Sequence, residues 1–308
     1  MVKVYDELVI SSGGIKGIAL MGALNNFSDV YPINKIKYFT GCSIGAIICL
    51  LLNIGYSINE LNDIILKINY DLFQEIKLLN LLEKCGFDDG TKFLNFLKAT
   101  IINKGYNHNI TFQELYDLTG KVLTICVVNI TKGVAEYHNY YNTPNLSVIL
   151  SAKMSSNIPI LFSPILYNDN YYIDGALLDP FPYYYIKNTR KFGIWIFLHN
   201  CEFKFIKNEN ISFVNNLSNS FNYIIELLKI LYLNYMKKYY KKIPKKNVVY
   251  LNFDYNSINN ESFYVPLEDR YMLYNIGKEK FNKYYKKECN FIRKRYLVKK
   301  YFNFWKKI

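Results

Sequence analysis

The sequence predicts an α/β protein in which a mostly parallel central sheet is covered by helices on both faces, a three-layer α/β/α arrangement. Three observations carry that prediction. A short apolar run leads through a glycine-rich turn into a helical pattern, and the chain does this twice before residue 57. Further apolar runs of strand length then alternate with stretches of helical period. The chain has 308 residues, 51% of them hydrophobic, which is ample for burying both faces of such a sheet.

Val4–Ile10 reads as a buried strand and Ala19–Phe27 as the helix after it. "IKYFTG" is the second strand, running into the strongly apolar helix "CSIGAIICLLLNIGY". Helical period continues through Asn59–Leu79 and Thr91–Ile102, and "KVLTICVVNI" is a core-type strand. Asn145–Ser155 reads as a helix, "ILYNDNYYI" as a hairpin turning at Asp169-Asn170, and "FGIWIFL" as another buried strand. Val214, Leu217, Phe221, Ile224, Leu228, Leu231 and Tyr235 recur at alternating steps of three and four, marking a long amphipathic helix that covers the sheet. No internal repeat or Gly/Ser/Pro linker divides the chain, so residues 1–288 are expected to form one domain and 289–308 a basic, aromatic C-terminal segment.

Composition narrows the function classes. The six cysteines, Cys42, Cys49, Cys85, Cys126, Cys201 and Cys289, are scattered without a C-x-x-C pair and read as reduced. "MVKVYDELVI" lacks a signal-peptide pattern, and no apolar run is long enough to span a bilayer, so the expectation is an intracellular, cytoplasmic protein with peripheral membrane association. The abundance of Lys, Asn, Ile, Tyr and Phe is what AT-rich codons produce, so the 30 tyrosines carry little functional weight. The charge is more telling. Of a formal net +13, the stretch Lys278–Ile308 holds +10, from twelve Lys or Arg against two Glu. Within it Phe291, Tyr296, Leu297, Tyr301, Phe304, Trp305 and Ile308 are interleaved with Arg293, Lys294, Arg295, Lys299, Lys300, Lys306 and Lys307, the composition of a helix lying on an anionic membrane surface. The competing reading packs the aromatics on the sheet and solvates the charges.

Chemistry concentrates at the turns. "GCSIG" is a G-x-S-x-G between a predicted strand and a predicted helix, where small residues on either side let a tight elbow present the Ser43 hydroxyl. A serine needs a base. Among His108, His138 and His199, only His199 stands at the C-terminal end of a predicted strand, and the order Ser43, Asp174, His199 matches an α/β-hydrolase triad. A carboxylate can serve instead: Asp174 in "YYIDGALLDPFP" precedes Gly175-Ala176, a turn with little bulk that could aim it into a cleft. Taken alone, an Asp-Gly turn is also ordinary hairpin chemistry. The turn "SSGGIKG" has no acidic residue ending the second strand, as a dinucleotide fold requires, and no G-K-[ST] of a P-loop. His, Asp and Glu do not cluster at metal-ligand spacing, and no nucleic-acid module is present.

"SGGIKG", then G-x-S-x-G about thirty residues later, then D-G-A resemble the patatin-like phospholipases. "SSNIPILFSPILYNDNYYIDGALLDPFP" and "VPLEDRYMLYNIGKEKF" extend the resemblance over roughly residues 4 to 287. It implies a Ser-Asp dyad, with Ser43 attacking an ester carbonyl and Asp174 taking its proton, and an oxyanion hole at the N–H groups of Ser12, Gly13 and Gly14. Gly17, Gly41, Gly45, Gly175 and Ala176 support these motifs. Lys16 occupies the family's usual basic position, either contacting a phosphate headgroup or solvating the turn. The substrate class implied is a phospholipid or lysophospholipid, cleaved at a fatty-acyl ester, with no metal or other cofactor in the chemistry. Two alternatives remain: a Ser-Asp-His esterase and a non-catalytic lipid-binding relative. The chain departs from the family at Ser12, usually glycine, where a Cβ restricts positive φ, and at Asn157, often alanine.

Overall fold

The computed structural model describes residues 3–73, 75, 77–187, 189–199, 227, 230–254 and 265–305. β1 (Glu7–Ile10) and α1 (Gly17–Val30) form the first strand-turn-helix unit, and β2 (Tyr38–Cys42) and α2 (Ile44–Asn53) the second. Then come α3 (Ile58–Lys67), α4 (Leu78–Lys84), β3 (Gly86–Asp88), α5 (Thr91–Asn103), α6 (Phe112–Thr119), β4 (Val122–Asn129) and β5 (Val134–His138). α7 (Val148–Ser155), β6 (Ile160–Phe162), β7 (Ile165–Tyr167), β8 (Asn170–Asp174) and β9 (Lys191–His199) follow, then α8 (described over 230–240), β10 (Val248–Asp254) and α9 (Leu267–Trp305).

The central sheet runs β10-β9-β1-β2-β4-β8-β7, with β5 also paired to β4. Strands β10 through β4 are parallel, whereas β5, β7 and β8 join by antiparallel pairing, so the sheet is mostly parallel with an antiparallel side. Its strands are two-faced at period two. Leu8 and Ile10 of β1 and Phe192, Ile194 and Ile196 of β9 enter the core beneath α1, α2 and α9, while Val9, Trp195 and Phe197 join Met236 of α8 on the other face. This is the expected three-layer order. Glu7, an unexpected acid in a core strand, is buried with Thr40 Oγ1 (2.9 Å), Thr189 Oγ1 (2.5 Å) and Lys191 Nζ (3.2 Å) around its carboxylate.

Several element expectations need correction. The helix expected over Asn59–Leu79 ends at Lys67, because Ile68 is extended and Arg270 of α9 donates to the carbonyls of Leu66 (3.0 Å) and Ile68 (2.5 Å). A separate short helix, α4, begins at Leu78. The hairpin turns one residue early, at Asn168 and Asp169, whose φ values of 46° and 58° suit residues tolerant of left-handed backbone. α7 starts at Val148, capped by Ser147. The amphipathic pattern over Val214–Tyr235 falls largely outside the described residues, which show helix over 230–240. β3, β5, β6, β10 and α6 went unrecognised in the sequence. Five cysteines among the described residues, Cys42, Cys49, Cys85, Cys126 and Cys289, are free thiols.

Candidate active site

The elbow at Ser43 is made by backbone crowding. Ser43 itself holds φ 55° and ψ −128°, a left-handed conformation costing on the order of 1–3 kcal/mol that only a well-determined surround maintains. Its flanking glycines have no room for a side chain. A Cβ on Gly41 would stand 2.4 Å from the carbonyl oxygen of Gly45, and one on Gly45 would stand 2.4 Å from those of Ile10 and Ser11. Gly45 thereby lets α2 press against the end of β1, bringing the elbow beside the glycine loop. Gly17, at the start of α1, in turn faces Ile44, the residue after the serine.

Strand order brings the carboxylate to this elbow. β4 lies between β2 and β8, with Cys42 level with Cys126 and Asp174 level with Val127. Both strand ends therefore reach the same height on either side of β4. Ser43 Oγ donates to Asp174 Oδ2 at 2.6 Å, and both residues are almost wholly buried. Asp174 Oδ1 accepts from the Ala176 N–H at 2.8 Å, and Cys42 Sγ lies 3.9 Å away. Gly175 is again obligatory, since a Cβ there would be 2.4 Å from the Cys126 carbonyl. Burial pushes the Asp174 carboxyl up to about 6, against the stabilising hydrogen bonds from Ser43, Ala176 and Cys42.

The C-terminal end of α7 holds both sides of this pair. The Ser43 N–H donates to Ser155 Oγ at 2.8 Å, and Ser155 Oγ donates onward to the Cys126 carbonyl at 2.6 Å. The Asp174 N–H donates to the Asn157 carbonyl at 3.0 Å. The motif reading missed Ser155. "SSN" was visible in the sequence, but helical period does not tell which of its side chains reaches another strand's end.

The glycine loop differs from expectation in two respects. The left-handed position is Gly14, φ 52°, and not Ser12, so a side chain at 12 is tolerated. The Ser12 N–H donates to the Pro180 carbonyl at 2.9 Å, which removes it from the expected oxyanion donors. Among the described residues no carbonyl accepts from the N–H of Gly13 or Gly14, which sit at the turn into α1. Lys16 is 2% exposed, so it does not solvate the turn, and burial lowers its pKa to about 8.

The backbone of His199 and the ring of His138 lie on strands other than the one leading into Ser43. His199 ends β9, level with Asp254 of β10 and separated from β2 by β1. His138 is buried on β5 with Nδ1 3.0 Å from Ser151 Oγ. The Ser43 hydroxyl has one proton, and it is directed at Asp174.

The family model for patatin-like phospholipase matches residues 8–186, a stretch holding the glycine loop, the elbow and Asp174. The chain is 38% identical over 204 residues to "Probable lipid hydrolase 463L" of Invertebrate iridescent virus 6, covering 63% of this chain and 69% of the relative. It is 27% identical over 281 residues to "Uncharacterized protein R571" of Acanthamoeba polyphaga mimivirus, covering 88% and 90%. In fold it is similar to the crystal structure of VipD from Legionella pneumophila, with a TM-score of 0.57 at 16% identity over 91% of this chain and 66% of VipD. The family match thus coincides with the segment whose packing joins Ser43 to Asp174, and the chain belongs to the patatin-like phospholipase family, whose members are lipid hydrolases.

Proposed function

We propose that the chain cleaves fatty-acyl esters of phospholipids or lysophospholipids through an acyl-enzyme on Ser43, with Asp174 as its only base. The observation that carries the reading is the buried 2.6 Å hydrogen bond from Ser43 Oγ to Asp174 Oδ2. As Oγ attacks the ester carbonyl, its proton passes to Asp174, and the oxygen that becomes negative meets the N–H groups of Gly13 and Gly14. Each such donor contributes about 3–4 kcal/mol to lowering the barrier. Asp174 then protonates the departing alcohol oxygen. A water attacks the acyl group with Asp174 again accepting the proton, Asp174 passes that proton to the departing Ser43 Oγ, and fatty acid and free Ser43 result. A carboxyl raised to about 6 suits this work: it is ionised at neutral pH yet more basic than an ordinary aspartate.

The family description and the relative named a lipid hydrolase support the substrate class. The basic C-terminal segment supports peripheral contact with anionic membrane. The experiment is incubation of purified protein with phospholipid vesicles, with released fatty acid and lysolipid identified by mass spectrometry. Ser43→Ala and Asp174→Asn are each expected to abolish release, with losses that do not add in the double variant. His199→Ala is expected to keep turnover within about tenfold, whereas losing a true general base costs on the order of 10²–10⁴. Full activity in folded Asp174→Asn would end the dyad reading, and no turnover in folded His199→Ala would favour the triad of Ser43, Asp174 and His199.

A further inference from the structure

Lys153 is a buried lysine that the proposed chemistry does not use. It lies in the last turn of α7, 2% exposed, and among the described residues no carboxylate is within ion-pair distance of it. Its Nζ donates to Asn157 Oδ1 at 2.8 Å and stands 4.2 Å from the centre of the Phe162 ring. Burial lowers its pKa to about 8, while the carboxylates of Asp88 and Asp89 at the end of β3 favour its charge, so near neutrality the group is chiefly an ammonium donor. Asn157 is wholly buried, and its Nδ2 donates to the Ser163 carbonyl at 2.6 Å. Both ends of that amide are therefore tied, one to α7 and one to the segment leading into β7. The backbone carbonyl of the same residue is the acceptor for the Asp174 N–H, at 3.0 Å.

The space for the ammonium is provided separately. Gly90, at the start of α5, has φ 71°, and a Cβ there would fall 1.9 Å from Lys153 Nζ. The missing side chain at Gly90 thus leaves room for the Lys153 ammonium, beside an asparagine whose carbonyl accepts from the Asp174 N–H.

We propose that Lys153 is a positioning residue for the Ser43–Asp174 pair, acting through Asn157: its ammonium fixes the Asn157 amide, and the Asn157 carbonyl sets the backbone from which the Asp174 carboxylate meets Ser43. The proposal rests on the dyad reading above. A small displacement of a general base is enough to slow a reaction that depends on its alignment by tenfold or more, roughly.

The test measures how fast a fluorophosphonate probe labels Ser43 in the full-length protein, since this reads nucleophile activation without a lipid substrate. Folded Lys153→Met is expected to label about tenfold more slowly at saturating probe with unchanged half-saturation. Asn157→Ala is expected to do the same, and the double variant to be no slower than either single one. Lys153→Arg, which keeps a cationic donor, is expected to recover most of the rate. Gly90→Ala, which displaces the ammonium from a different element, is expected to slow labelling as well, and it covers the case in which Lys153→Met does not fold. Wild-type rate in folded Lys153→Met, losses that multiply in the double variant, or no recovery with arginine would overturn the positioning role while leaving the dyad standing. A wild-type protein that labels no faster than Asp174→Asn would overturn the dyad itself, and the positioning role with it.

Discussion

Asp174 is a residue whose chemistry and stability pull in opposite directions. Its carboxyl rises from 3.8 to about 6 on folding, chiefly because burial disfavours the charged form. A folded pKa above the unfolded one means that the native state binds the proton more tightly. The contribution to stability is therefore fully present below about pH 4 and is lost as pH rises through about 6, a difference of about 3 kcal/mol at neutral pH. On the proposed dyad the rate moves the other way, because Asp174 must be ionised to act as the base. Ester turnover is expected to rise with pH along a limb centred near 6, read from kcat/KM on a soluble ester. Asp174→Asn retains an acceptor for the Ala176 N–H and never ionises. It is expected to unfold at higher denaturant concentration than the wild type at pH 7, by up to about 3 kcal/mol, with the excess vanishing toward pH 4. A less stable variant at pH 7 would show that the carboxylate is better accommodated than its burial suggests.

At the scale of elements, the seam between α1 and α9 shows how backbone contact decides the packing. A Cβ on Gly22 would stand 1.9 Å from the Tyr274 carbonyl oxygen, and one on Gly277 would stand 2.0 Å from that of Ala19. The two helices therefore touch backbone to backbone, and Asn26 Nδ2 bonds both the Lys278 carbonyl (3.2 Å) and Asn282 Oδ1 (3.0 Å) across the seam. On an isolated helix, replacing glycine with alanine stabilises by about 1 kcal/mol. Here the sign is expected to reverse. Gly277→Ala must push α9 off α1, and a net loss of about 1–3 kcal/mol in denaturant unfolding is expected. Stabilisation would show that the seam can open at little expense. The N-terminus of α1 carries Gly17 against Ile44, so a shifted α1 is felt at the elbow.

For the molecule as a whole, charge is uneven: a body of nearly balanced charge carries a strongly basic C-terminal segment. α9 passes residue 288 without a break, so the boundary expected there does not coincide with a helix end. Up to that point the helix is tied down: Phe281 is in the core, and Glu288 accepts from Lys3 Nζ (2.6 Å) and the Tyr31 hydroxyl (2.8 Å). Just beyond, Phe291 is 57% exposed. Side chains from 292 onward lie outside the described residues. No described helix is long and apolar enough to cross a membrane. Our reading of 289–308 as a membrane-surface segment follows from its charge, each basic residue near an anionic surface adding about 1 kcal/mol before screening. Deleting 289–308 is expected to weaken sedimentation with anionic vesicles and hydrolysis there, with added salt mimicking the loss, while turnover of a soluble monomeric ester stays unchanged. Equal loss on both substrates would assign the segment to folding, and undiminished vesicle binding would end the membrane reading.

What the sequence determined by itself is local. Glycines at 41, 45 and 175, the two strand-turn-helix units, and the apolar runs of β1, β2, β4 and β9 follow from short-range sterics and hydrophobic period, and these act within a few residues. That is why the elbow serine and the sheet class were legible. The tertiary structure decided everything that depends on which distant segments become neighbours. Asp174 is the partner of Ser43 because β4 lies between their strands, a pairing 131 residues apart in the chain. The Ser12 N–H is captured by Pro180, α3 ends where Arg270 meets its last carbonyls, and Lys153 reaches Asn157 in a space that Gly90 leaves open. Hydrogen bonds and close backbone contacts of this kind form only after strand order is set. Strand order is chosen by the burial of both sheet faces at once, which no single stretch of sequence encodes.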